Sequence, residues 1–262
     1  MEAPTERIQL GSGPGTREIA VIRRQGGSPG LFWLGGFHSD MLGTKARAMD
    51  AFAAERGLAA TRFDYSGHGQ SGGAFTDGTI TRWLEESRAV FEAATNGPQV
   101  VVGSSMGGWL ALLLADALRQ SGISRVAGLV LIAPATDMTR ALMWEEMKPA
   151  ARKKLMAEGQ VTRPSDYDGD GYVITRALIE DGDRHLFGDR LIEVGCPVHI
   201  LQGQRDPDVP WRHAAKLVER LASDDVVLTL VKDGDHRLSR PEDLEKLSAA
   251  MAGIIEEAAL AS

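Results

Sequence analysis

Ser105 stands at the centre of Gly103-Ser104-Ser105-Met106-Gly107, a G-x-S-x-G pattern preceded by the apolar run Val100-Val101-Val102 and followed by a helical pattern from Trp109. A nucleophile elbow requires that context: a strand, a turn too sharp for side chains at the flanking positions, then a helix, with the serine hydroxyl raised above a sheet. Glycines permit such a turn and the strained backbone at its serine. In a chain with 30 glycines the pattern alone is weak. The strand before it and the helix after it give it weight. The plain alternative is a Gly-rich turn that happens to hold two serines. A dinucleotide loop is another, but it wants G-x-G-x-x-G after the first strand of its unit. Ser104 lies off the central position and is read as structural.

A serine hydroxyl attacks only when a base takes its proton. After such an elbow the expected order along the chain is acid, then histidine. Of six histidines, His236 in Gly234-Asp235-His236-Arg237 is the one in a loop between a late apolar run and the last helix. His38 and His68 precede the serine, His185 falls in an irregular region, His199 in a strand and His213 on a helix. These five are read as surface, packing or turn residues. The acid should follow residues 198–201, where Gln202-Gly203-Gln204-Arg205-Asp206-Pro207-Asp208 offers two carboxylates. Asp206 is nearer the strand end and is assigned to hold the His236 tautomer. Asp208, ahead of Val209-Pro210-Trp211, is expected to cap the next helix. The candidate catalytic set is Ser105, Asp206 and His236. A tetrahedral intermediate also needs preorganised N–H donors for its charged oxygen. The expected pair is the backbone N–H of Met106, at the helix start, and that of Phe37 in Gly35-Gly36-Phe37. The alternative for the glycine pair is an ordinary turn.

These residues need elements to hold them. Apolar runs alternate with helical patterns along most of the chain, which predicts a mostly parallel sheet with helices on both faces. Strands are expected over residues 7–10, 18–24, 31–34, 59–64, 100–102, 127–132, 198–201 and 226–231, the first two antiparallel. Helices are expected over residues 44–56, 81–94, 109–119, 210–221 and 241–258. The rhythm breaks over residues 134–190, a Met-rich stretch read as an irregular helical cap over the carboxyl ends of the strands. Within it Met143, Trp144, Met147, Leu155 and Met156 either line an acyl pocket or pack the cap onto the sheet. Met143, Trp144 and Met147 are the candidate pocket residues. Asp64 and His68 lie in a tight turn and are read as supports for the floor of the site.

Composition narrows the classes. At 262 residues the chain suits a single domain, 1–262, with a modest insertion. A net charge of −7 with both signs interspersed argues against a nucleic-acid partner. The one cysteine, Cys196, excludes an intramolecular disulfide and a Cys-based zinc site. It is read as a small buried hydrophobe. No apolar run approaches a membrane span, so no stable membrane insertion is expected. Residues 1–10 carry neither a basic n-region nor an apolar h-region, which predicts a cytoplasmic protein without a signal peptide. Asp166-Tyr167-Asp168-Gly169-Asp170-Gly171 is like the start of a calcium loop, but its twelfth position is Ala177 instead of Glu. It is read as an acidic turn, and no metal or cofactor is expected.

Gly35-Gly36-Phe37 with Ser39-Asp40-Met41 and Gly43-Thr44-Lys45-Ala46, Arg62-Phe63-Asp64-Tyr65-Ser66-Gly67, the elbow with Gly108-Trp109, Pro210-Trp211 and Asp235-His236-Arg237 together resemble the alpha/beta-hydrolase domain-containing protein 10 group. The resemblance runs from about Leu31 to the final helix, with a composition suggesting a bacterial relative. It implies the α/β-hydrolase fold: a mostly parallel eight-stranded sheet with helices on both faces and a small cap. It implies acyl-protein thioesterase or acyl-glucuronide esterase activity, with Ser105, Asp206 and His236 on the family's triad. The expected substrate is a small-molecule or acyl-protein ester or thioester. The alternatives are another Ser-triad hydrolase (a peptidase, lactonase or carbon–carbon bond hydrolase) and a ligand-binding member without turnover.

Overall fold

The computed structural model describes residues 3–163, 171–222 and 225–260. Ten strands and seven α-helices occur among them. In chain order they are β1 (Thr5–Leu10), β2 (Arg17–Arg24), β3 (Gly27–Leu34), α1 (Thr44–Glu55), β4 (Leu58–Phe63), α2 (Ile80–Ala94), β5 (Gln99–Ser104), α3 (Met106–Gln120), β6 (Val126–Ile132), α4 (Pro149–Glu158), β7 (Gln160–Arg163), β8 (Tyr172–Thr175), α5 (Arg176–Gly182), β9 (Val198–Gly203), α6 (Trp211–Arg220), β10 (Val226–Val231) and α7 (Pro241–Leu260). Eight strands form one sheet in the order β1-β2-β4-β3-β5-β6-β9-β10. β1, β2 and β4 pair antiparallel, and every other neighbour pair is parallel.

Strands buried on both faces read as continuous apolar runs, as Val100-Val101-Val102 and Leu129-Val130-Leu131-Ile132 do here. Alternate residues feed two cores. Phe32, Leu34 and Val101 pack with Trp83 and Phe91 of α2 and Trp109 and Leu110 of α3. Leu31, Trp33, Val100 and Val102 pack on the other face with Met49 and Phe52 of α1 and Leu247, Met251 and Ile254 of α7. The chain leaves β3 through α1 on one face, and leaves β4 through α2 on the other to reach β5 beyond β3. The connections therefore diverge between β3 and β5. Open α/β sheets bind ligands at such a switch point, outside the carboxyl ends of the strands. The segments leaving β3 and β5 there carry Gly35–Phe37 and Ser105.

Two expectations change in detail. β3 starts four residues before residue 31, because Gly27 N–H already reaches the Gly57 carbonyl (2.7 Å) and Gly30 N–H the Pro98 carbonyl (3.0 Å), in a stretch whose glycines and proline hide a strand. α3 begins at Met106, not near Trp109: Gly107 and Gly108, poor helix formers, enter the first turn directly.

Between β6 and β9 the chain leaves the sheet. This segment is not wholly helical. A π-helical turn, Thr139–Trp144, precedes α4, and β7 and β8 pair as an antiparallel hairpin with Arg163 opposite Tyr172. The β-branched Val161, Thr162, Val173 and Ile174 account for the hairpin. Asp137 ties the segment down, accepting from Phe187 N–H (2.8 Å) and Gly188 N–H (3.0 Å). The acidic run 166–170 lies outside the described residues. Among the described residues, no helix is long and apolar enough to cross a membrane.

Candidate active site

Ser105 occupies a backbone conformation that side chains rarely adopt, φ 54° and ψ −117°, between β5 and α3. The turn closes because its flanks are glycines. A Cβ at Gly107 would lie 2.0 Å from the Leu34 carbonyl oxygen, and one at Gly103 would lie 2.3 Å from the Gly107 oxygen. Ser105 N–H donates to Ile132 O (2.8 Å), and its carbonyl accepts from Gly108 N–H (2.9 Å) and Ala135 N–H (3.1 Å). The strained residue is thus over-determined by its neighbours, as such conformations require.

Elements 131 residues apart bring His236 to this serine. Its Nε2 lies 3.1 Å from Ser105 Oγ, and its Nδ1 lies 2.8 Å from Asp206 Oδ2. A carboxylate only accepts, so Nδ1 carries the proton and Nε2 presents its lone pair to the hydroxyl. The Asp206 side chain is fully buried, against 18% exposure for that of His236. Its desolvation is answered by four donors: Asp208 N–H (2.9 Å) and Val209 N–H (2.8 Å) on Oδ1, and His236 Nδ1–H and the Gln202 amide (3.2 Å) on Oδ2. Gln202, at the end of β9 and wholly buried, also donates to the Val209 carbonyl (3.0 Å). The expected cap role of Asp208 is not met. α6 opens at Pro210 with no side-chain cap, and Asp208 instead lines the cavity while its N–H orients Asp206.

The loop after β3 abuts the serine: a Cβ on Gly36 would stand 3.4 Å from Ser105 Cβ. Ser39 grips the Gly36 carbonyl through both N–H (3.2 Å) and Oγ–H (2.8 Å). The peptide is planar, so the Phe37 N–H points the opposite way. Among the described residues, the Phe37 and Met106 N–H groups have no protein acceptor. The next N–H, that of His38, donates to His68 Nε2 (3.3 Å), while His68 Nδ1 faces the Ser66 carbonyl (3.3 Å). This pairing requires the neutral ring, and burial lowers the His68 pKa to about 4. Tyr65 Oη donates to the Gly35 carbonyl (3.3 Å). Asp64 accepts from Met41 N–H and Gln70 N–H, both at 2.7 Å, and burial raises its pKa. Burial likewise pushes the Cys196 thiol up to about 12, so it is inert packing far from thiolate chemistry.

Ser105 and His236 open on a cavity of about 530 Å³, within the range of small-molecule sites. Its lining mixes apolar side chains, among them Phe37, Met138, Leu142, Met143, Tyr172 and Val209, with polar ones, among them Asp40, Lys45, Arg163, Asp208 and Arg237. Of the three expected pocket residues only Met143 lines it. The wider π-helical turn Thr139–Trp144 brings Leu142 and Met143 to the cavity, with Met138 just ahead of it. Trp144 instead stacks under Arg140 and Arg152 (5.7 and 5.2 Å to the ring centre), and Met147 packs at the core's edge. Leu155 is buried core, Met156 is 41% exposed, and the Met106 side chain is buried in the core, not in the cavity wall. Sequence reasoning missed Gln202, Lys45 and the acceptor role of His68. A glutamine closing an apolar strand was the visible signal for the first.

The family described as Hydrolase_4, serine aminopeptidase S33, matches residues 34–169. The palmitoyl-protein thioesterase ABHD10, mitochondrial, of Mus musculus is 34% identical over 240 residues, covering 91% of this chain and 79% of that protein. Its Homo sapiens counterpart is 32% identical over 245 residues, covering 93% and 78%. A solved structure from Agrobacterium vitis S4 superposes with TM-score 0.93 at 49% identity, covering 96% of this chain and 98% of that one. The alpha/beta hydrolase domain-containing protein 10 from mouse superposes with TM-score 0.86 at 32% identity, covering 96% and 99%.

Proposed function

The chain belongs to the α/β-hydrolase family of the ABHD10 proteins, and we propose that within it this protein is a serine thioesterase or esterase working through an acyl-enzyme on Ser105. The observation that carries this reading is the unbroken relay from buried Asp206 through His236 to Ser105, at 2.8 and 3.1 Å, facing a cavity lined in part by Phe37, Met138, Leu142 and Met143. Ser105 Oγ attacks the acyl carbonyl as its proton passes to His236 Nε2. Asp206 stabilises the imidazolium and stays ionised. The carbonyl oxygen takes up negative charge between the Phe37 and Met106 N–H groups, two donors already fixed and unspent on protein acceptors. His236 then protonates the departing sulfur or oxygen, which leaves the acyl group on Ser105. Water attacks next, with His236 again as base, and the acid is released.

Residues 134–190 act as the cap in this account, and Met138, Leu142 and Met143 receive the acyl chain. Unbranched methionines suit a chain without fixed shape. The thioesterase name of the ABHD10 relatives supports the thioester arm. The test is a matched series of p-nitrophenyl esters, acyl thioesters and acyl amides from acetyl to palmitoyl. Turnover that climbs with chain length on thioesters, with the amides uncut, is the expected result. Turnover confined to short activated esters would remove the acyl-chain part of the reading, and preferred cleavage of amides would replace it with a peptidase.

A further inference from the structure

One cation in the cavity wall is unused by this chemistry. Lys45, in the first turn of α1, sends its Nζ to donate to the main-chain carbonyl of Arg237, next to His236 and 192 positions away in sequence. α1 follows directly on the Phe37 loop. Lys45 therefore spans from the side of the site that carries one oxyanion donor to the side that carries the base. The other fastenings of the His236 loop come from different directions. Arg205 N–H donates to Gly234 O (2.9 Å), Leu238 N–H to Asp235 Oδ1 (3.0 Å), and the Arg240 guanidinium bridges Asp233 (2.7 Å) and Asp243 (2.8 Å).

Lys45 is half-buried, and charged groups face it from each neighbouring element: Arg237 and Asp235 on the loop, Asp206 after β9 and Asp243 on α7. We propose that Lys45 is a positioning residue, holding the His236 loop at the height Ser105 requires through a charge-assisted hydrogen bond to the Arg237 carbonyl. This rests on the Ser105–His236 reading above. Burial, then the charge of Arg237, bring the Lys45 ammonium down to about 8 against the pull of the three carboxylates. An ionised donor holds a carbonyl about twice as strongly as a neutral one. The strut is therefore at full strength well below pH 8, half lost near pH 8 and weak above it.

Initial rates on a p-nitrophenyl ester, measured with the full chain from about pH 6.5 to about pH 9.5, test this in Lys45→Met, Lys45→Arg and Ser105→Ala. Lys45→Met is expected to lower kcat by about ten- to a hundredfold with KM within about twofold, the pattern of a displaced base. Lys45→Arg is expected to restore most of that kcat. It should also lack the wild-type decline centred near pH 8, because a guanidinium stays charged throughout. Full kcat in Lys45→Met would overturn the proposal. So would a rise in KM confined to anionic leaving groups, which would make Lys45 a substrate contact. Equal losses in Met and Arg variants, with matching losses of thermal stability, would reduce it to a packing residue and also overturn it. Retained turnover in Ser105→Ala would instead bring down the reading on which the proposal rests.

Discussion

Ser105→Gly is expected to lose about 10⁶-fold in kcat and yet melt higher than the wild type. On the proposed mechanism the loss follows from removing the atom that bonds to the acyl group, which leaves His236 and Asp206 no nucleophile to serve. The gain follows from the backbone. At φ 54° and ψ −117° the residue carries a conformation costing roughly 1–3 kcal/mol for any side chain, which glycine adopts freely. Glycine gives back about 0.5–1 kcal/mol in chain entropy, leaving a net gain of about 1 kcal/mol. In a chain of this size that raises the melting midpoint by about 3 °C. Ser105→Ala separates the two effects: it should lose the same turnover and keep the strain, melting close to the wild type. Calorimetry of the pair beside ester turnover decides it. Activity in either variant within about tenfold of the wild type would contradict the assignment. Coincident melting of the two variants would show that the elbow stores no strain.

Asp206→Asn is expected to cost about 10⁴-fold in kcat with only a modest loss of stability. The four donors around Asp206 determine the outcome. Asparagine has one acceptor oxygen, and the two main-chain N–H groups of Asp208 and Val209, fixed by the turn, claim it. Its NH2 then faces His236 Nδ1, where the wild-type carboxylate accepted at 2.8 Å. The imidazole must answer with a lone pair at Nδ1, which moves its proton to Nε2, and a protonated Nε2 cannot accept from Ser105 Oγ. The geometry survives while the tautomer is wrong. Steady-state kinetics and a melting curve on the same preparation check this. A loss below about tenfold would remove Asp206 from its role and return Asp208, which also faces the cavity, to consideration.

The chain's legibility follows the range over which each feature is encoded. The elbow is local: strand, glycine, serine, glycine and helix lie within about a dozen residues, and the steric demands at Gly103 and Gly107 leave few other sequences able to make the turn. His236 and Asp206 are legible through chain order, because each closes a recognisable apolar strand. Closeness to β9 favours Asp206 over Asp208, and the structure gives Asp206 the buried position facing His236. The supports were not legible. Lys45 and Arg237 are 192 positions apart, and a lysine in the first turn of an amphipathic helix reads as solvated until the sheet folds it against the His236 loop. His68 reads as a turn residue because its acceptor role depends on burial and on a peptide 30 positions earlier. In the cap the local backbone is what the sequence does not show. Side-chain chemistry alone points to Met143, Trp144 and Met147, and the π-helical turn puts Leu142 and Met143, with Met138 ahead of it, on the cavity instead.

The covalent intermediate is the central claim, and intact-mass spectrometry of the protein quenched in acid milliseconds after mixing with a palmitoyl thioester tests it most directly. The account predicts a transient gain of one palmitoyl group, mapped by fragmentation to the peptide holding Ser105 and absent from Ser105→Ala. Steady turnover with no adduct at Ser105, or an adduct that persists in Ser105→Ala, would contradict it.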